Sequence, residues 1–298
     1  MNLNGIFTAL TTPFDESGAL ATDRFRENIA RYNRVPLTGY LAVGSTGESV
    51  LLNRKEIEQT FAALREAAAP GRTLLAGTGA ESAAETISRN AVAADLGYDY
   101  VLIKTPHFYK SALTPEALLE YYRRVADASK LPVLLYSIPQ LTGITLEADL
   151  VARLAEHPNI AGIKESSGNV QRVGEIIAAV PAEFKVLVGS ADTLYPSLLL
   201  GAIGGILALA DVLPELCIEM YRAAGAAPSA NARDLNRRIL PASKKIVRGP
   251  GIAGVKYGMD YRGYYGGPVR SPLMPLNDAQ KRSVEAVIDS LVAAAAAD

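Results

Sequence analysis

The chain is short of several things. Its 298 residues include one cysteine, Cys217, and two histidines, His107 and His157. A single thiol excludes an internal disulfide framework and points to a reducing, cytoplasmic compartment. Cys217 lies in the amphipathic pattern "LPELCIEMYRAAG" and reads as a buried thiol, because free cysteine packs as a small hydrophobe. The two histidines are far apart, and no HxxxH or carboxylate cluster supplies ligand spacing, so no metal site is expected. Charge of neither sign is in excess: Lys+Arg 30 against Asp+Glu 31 gives a net charge of −1. That argues against a nucleic-acid or anionic-membrane partner. No apolar run reaches the ~18 residues of a membrane span. The longest candidate, "YPSLLLGAIGGILALA", is broken by glycines and a proline and reads as helix, turn and buried strand. The start, "MNLNGIFTALTTPF", lacks the basic first residues and apolar core of a signal peptide.

What is present is an alternation. Short apolar runs at 5–11, 39–44, 73–78, 100–105, 132–137, 160–165, 185–190 and 204–209 carry apolar residues on both faces, as parallel strands sandwiched by helices do. Amphipathic windows fill the gaps at 22–35, 54–69, 81–96, 114–129, 146–156, 169–180, 192–201 and 213–225. Asn53 with Glu56, and Ser82 with Glu85, have capping-box spacing. Thr114 stands before Pro115, an N-cap followed by proline at the first helical position. Strand-then-helix repeated eight times in about 225 residues predicts an α/β fold, a closed (β/α)8 TIM barrel, over an open doubly wound sheet. After residue 225 the alternation stops. Residues 226–298 read as a C-terminal helical region, with a glycine- and proline-rich loop at 262–273 and an alanine-rich helix end.

In such barrels chemistry sits at the C-terminal ends of the strands. Here those ends carry Gly44-Ser45-Thr46-Gly47-Glu48, Pro106-His107-Phe108-Tyr109, Tyr136-Ser137, Lys164-Glu165-Ser166 and Gly189-Ser190. Lys164 ends an apolar run, "NIAGIKESSG". A desolvated lysine favours its neutral form, and a neutral amine attacks carbonyls to form a Schiff base. A lysine snorkelling to the surface from a strand end gives the same pattern. Tyr136 can trade protons with such an amine, helped by a hydroxyl such as that of Thr46, or can be a buried tyrosine satisfied by backbone. "GSTGES" can cradle a carboxylate or be a plain tight turn. It is not a Walker A loop, and "GTGAES" (77–82) lacks nucleotide-loop spacing. His157 reads as a solvated loop residue, and His107 as a rim residue within reach of substrate.

Taken in order, "GSTGE", "LLYSIPQLTG" (134–143) and "GIKESSG" (162–168) resemble the dihydrodipicolinate synthase / N-acetylneuraminate lyase family. The likeness runs from "GIFTALTTPF" to "YYGGPVRSPL". It implies a pyruvate-dependent class I aldolase or synthase on a barrel with a helical extension, assembled as a homotetramer. No cofactor is implied beyond the covalent Schiff base. By resemblance Lys164 forms the imine, Tyr136 shuttles protons, and Thr46 joins Ser45 in holding the pyruvate carboxylate and relaying protons. The resemblance also implies substrate contacts at Gly47, Ser166, Gly189, Ile206 and Tyr109. Two positions depart from the synthase pattern. Leu141 stands where synthases carry an arginine for the aldehyde substrate's carboxylate. Phe108 stands where a tyrosine reaches a neighbouring subunit's proton relay, with Tyr109 as the adjacent substitute. "YSIP", "EHPNIAGIKESSG" and the stretch to "YYGGPVRSPL" look closest to the 4-hydroxy-2-oxoglutarate aldolase branch, which yields pyruvate and glyoxylate. Cleavage of that 2-oxo acid is the first expectation. Condensation of pyruvate with aspartate semialdehyde is the second, and a non-catalytic 2-oxo-acid binder, suggested by Phe108, the third. Glu81 and His107 occupy the positions where lysine-inhibited members bind lysine, so no feedback by lysine is expected.

Overall fold

The structure is a computed structural model and describes residues 2–225 and 229–295. Eight parallel strands close into a barrel in chain order. They are β1 (Gly5–Ala9), β2 (Gly39–Ala42), β3 (Thr73–Gly77), β4 (Tyr100–Lys104), β5 (Val133–Ser137), β6 (Ile160–Glu165), β7 (Lys185–Val188) and β8 (Gly204–Leu207). All eight lie within the runs expected from hydropathy. Their burial on both faces has two sources. Phe7, Leu41, Leu75, Leu102, Leu134, Leu187 and Ile206 pack against one another inside the barrel. The alternate residues pack outward beneath the helices.

The outer layer is built from α1 (Thr22–Tyr32), α2 (Arg54–Ala67), α3 (Ala83–Asp95), α4 (Pro115–Ala128), a single turn α5 (Pro139–Thr142), α6 (Ala148–Ala155), α7 (Val170–Ala179), α8 (Leu194–Leu200) and α9 (Pro214–Gly225). The expected start signals operate. Asn53 and Glu56 form a reciprocal capping box, Ser82 accepts from the Glu85 N–H, and Thr114 accepts from the Ala117 N–H with Pro115 beginning the helix. The C-terminal region forms α10 (Ala230–Ala242), which runs into π-helical turns at Ser243–Arg248, then α11 (Gly251–Tyr261) and α12 (Asp278–Ala295). Pro241 sits inside α10 just before the π turns, where its missing N–H and bulky ring disturb the α-helical ladder. The boundary expected at 225/226 falls beside 226–228, and the chain end at 296–298 likewise lies outside the described residues.

His157 is not solvated as the sequence suggested. Its side chain is 13% exposed, Nε2 meets Asp127 at 3.0 Å, and Nδ1 accepts from the Asn159 N–H, so it pins the turn leading into β6. Cys217 is buried as expected. Among the described residues no helix is long and apolar enough to cross a membrane.

Candidate active site

Register builds the site. Lys104 on β4 pairs with Tyr136 on β5, and Tyr136 pairs with Lys164 on β6. Facing residues on adjacent parallel strands project to the same side of a sheet. Tyr136 belongs to the cluster inside the barrel, so Lys164 and Lys104 belong to the same inner layer at the C-terminal mouth. Lys164 is 3% exposed. Its ammonium nitrogen lies 4.4 Å from the centroid of the Tyr136 ring.

Burial lowers the Lys164 amine to a pKa of about 7, and the nearby Asp211 carboxyl opposes that shift. Burial pushes the Tyr136 phenol up to about 12, opposed by the neighbouring Ser45 and Ser166 hydroxyls. At neutral pH the site therefore offers a substantial fraction of neutral amine beside a protonated phenol. That is a nucleophile and an acid in contact.

The hydroxyl that meets Tyr136 belongs to Ser45, at 2.8 Å, rather than to Thr46. The loop carrying both is unusual. Val43 and Glu48, at its two ends, adopt left-handed backbone with φ of 58° and 55°. Such conformations cost of order 1–3 kcal/mol each in non-glycine residues and persist only where the surroundings impose them. The surroundings here are specific. The Thr12 hydroxyl donates to the Gly47 carbonyl at 2.7 Å. Glu48, fully buried, pairs with Lys256 of α11 at 2.6 Å and accepts from the Arg270 N–H at 2.8 Å. The C-terminal extension thus grips the loop that presents Ser45 and Thr46.

Other expected residues gather at the same place. Gly189 abuts the lysine: a Cβ there would stand 3.0 Å from Lys164 Cε and 1.7 Å from Ser166 Oγ, so only glycine fits. Ser166 is buried, and Ile206 lines the barrel interior. Tyr109 does not join them. It is 74% exposed and packs edge-on against Phe108, outside the cleft lined by Ser45, Tyr136 and Lys104. Leu141 is also exposed on the rim. Glu81 and His107 pair with each other at 2.7 Å.

Three charged residues beside the site escaped sequence reasoning. Asp211, after β8, is fully buried; burial raises its carboxyl well above the usual range, and neither oxygen closes a hydrogen bond of normal geometry. A lone acid inside "LALADVL" was its signal. Glu48 stood inside a quoted motif, but its partner Lys256 lies 208 positions further along the chain, beyond the reach of local pattern. Lys104 carried the same signal as Lys164, a charge ending an apolar strand, in "YVLIKT".

Comparison with known proteins agrees with this geometry. The family model described as the Dihydrodipicolinate synthetase family matches residues 2–291. A 4-hydroxy-tetrahydrodipicolinate synthase of Methanothrix thermoacetophila is 33% identical over 288 residues, covering 96% of each chain. The enzyme of that name from Neisseria gonorrhoeae is 34% identical over 286 residues, covering 96% of this chain and 98% of its own. A dihydrodipicolinate synthase from Acinetobacter baumannii, solved with pyruvate, superposes with a TM-score of 0.91 at 30% identity, covering 97% and 98% of the two chains. With a match along nearly the whole chain and relatives above 30% identity on the same barrel, the protein belongs to the dihydrodipicolinate synthetase family and is a lyase of the class I aldolase type.

Proposed function

We propose that the protein binds pyruvate as an imine on Lys164 and uses it in carbon–carbon bond formation or cleavage. The observation that carries this reading is the buried Lys164 amine, with its pKa near 7, against the Tyr136 ring. The amine adds to the C2 carbonyl of pyruvate, and loss of water leaves a protonated imine. Tyr136 gives the departing hydroxyl its proton and recovers one through Ser45, 2.8 Å away. The cationic imine draws electrons from C3; loss of a C3 proton gives an enamine. The enamine attacks an aldehyde carbon, or forms in reverse when a C3–C4 bond breaks. Water then releases the product and regenerates the amine. The N–H groups and hydroxyls of the Ser45–Gly47 turn face the pyruvate carboxylate in this reading.

The relatives shift the choice of second substrate. They are named as 4-hydroxy-tetrahydrodipicolinate synthases, which supports condensation of pyruvate with aspartate semialdehyde over the aldolase reading first expected from the C-terminal motifs. One observation keeps cleavage of 4-hydroxy-2-oxoglutarate as a second reading: Leu141 places no donor at the rim where a synthase arginine would stand. Assaying both reactions on purified protein decides. A larger kcat/KM for condensation supports the first reading, and a larger value for cleavage reverses the order. Pyruvate fixed on Lys164 with neither reaction turning over leaves the binder reading standing.

A further inference from the structure

We propose that Lys104 holds the second carboxylate of the substrate, so that the site selects 2-oxo acids ending in a carboxylate over those ending in a methyl group. The inference rests on imine formation at Lys164 and holds whichever carbon–carbon reaction follows, since 4-hydroxy-2-oxoglutarate and aspartate semialdehyde each bring a further carboxylate.

The placement comes from register. Lys104, Tyr136 and Lys164 occupy one row on three consecutive strands. The two lysine Cα atoms are therefore separated by two strand spacings, about 9–10 Å along the wall. A five-carbon dicarboxylate joined through C2 to one flexible lysine stem can reach the other across that gap. Lys104 lines the cleft of Ser45, Leu102 and Tyr136, and also the adjoining pocket of Glu81, His107 and Phe108, toward which its ammonium now points. Its side chain is only 15% exposed.

Its present contacts are loose. The ammonium stands 3.3 Å from Glu81 Oε1 and 3.3 Å from His107 Nδ1, longer than the 2.7–2.9 Å typical of charge-assisted bonds. Glu81 has firmer partners. It accepts from the His107 and Phe108 N–H groups at 2.9 Å each and meets His107 Nδ1 at 2.7 Å. Lys104 is therefore a desolvated cation with a donor to spare, on a stem that can swing toward the mouth. The other cations near the rim differ. Lys110 is exposed, and Arg248 is exposed and committed to Asp192 at 2.5 Å. Leu141 offers no donor.

The test compares 2-oxoglutarate with 2-oxopentanoate, which share a carbon chain and differ in carboxylate against methyl at the end. Each is titrated against borohydride trapping on Lys164, read by peptide mass. The wild-type protein is expected to half-saturate with at least about tenfold less 2-oxoglutarate, the worth of one charge-assisted hydrogen bond, and this preference should shrink with salt. In Lys104→Met the two probes should converge to within about twofold. Lys104→Arg should keep part of the preference. Pyruvate trapped on Lys164 in each variant reports that the site is intact. A wild-type protein with no preference overturns the proposal even if the variants fail to fold. So does a Lys104→Met variant that keeps the preference. Absence of any adduct, pyruvate included, overturns the imine reading and the proposal with it.

Discussion

At the scale of the residue, the account turns on a lysine held where charge is costly. In the folded protein Lys164 titrates near pH 7, against 10.5 for a free lysine. The unfolded chain therefore binds more protons between these values, and stability rises with pH across that window. Below pH 7 the cost of the buried amine is fully present; near pH 10.5 it has vanished. Lys164→Met should accordingly be more stable than the wild type by about 1–4 kcal/mol at pH 6, as replacement of a buried charge by a hydrophobe often is. The gain should shrink toward pH 10, as read by urea denaturation. A gain over the wild type no larger at pH 6 than at pH 10 contradicts the desolvated amine. Tyr136→Phe keeps the ring against the lysine and removes only the hydroxyl, with its bond to Ser45, so turnover should fall about 10²–10⁴-fold while the fold holds. Gly189→Ala would push the Ser166 and Lys164 side chains from their places, and should abolish pyruvate trapping with little loss of far-UV circular dichroism signal.

At the scale of the element, the β2–α2 loop and α11 act as one unit. The Glu48–Lys256 pair is buried on both sides. Breaking it from one side, by Glu48→Gln or Lys256→Met, should cost about 3–5 kcal/mol in denaturant titration, because one buried charge is left unpaired. The double variant should cost less than the sum of the singles. Strict additivity would show that the two groups do not interact. The elements themselves were legible in the sequence because a strand buried on both faces writes an unbroken apolar run and a helix over it writes a 3.6-residue stripe. The alternation therefore revealed eight strands, and Lys164 and Tyr136 at their ends. What stayed hidden depends on register and distant contact. Nothing local says that Ser45, not Thr46, meets Tyr136, or that Tyr109 turns outward with Phe108. Nothing local aligns Lys104 with Tyr136; the pairing of β4 with β5 does.

At the scale of the whole molecule, closure of the barrel brings strands from the first and last thirds of the chain to one mouth, and the C-terminal helices brace it. The same molecule exposes Val50 at 70%, and Phe108 and Tyr109 at 74% each. Large apolar side chains clustered at a rim are the mark of a contact surface. The homotetramer implied by the sequence resemblance would cover them. Light scattering should then report a multiple of the 31.6 kDa chain, and Phe108→Glu should shift it toward smaller species. A wild-type monomer would remove this expectation and leave the site chemistry untouched. The chemistry itself is reached most directly by incubating the protein with pyruvate and borohydride across pH 5–9 and mapping the modified peptide. The account predicts one adduct, on Lys164, with a rate that rises through about pH 7 as the amine loses its proton. A modified peptide that lacks Lys164, or no adduct at any pH, would contradict it.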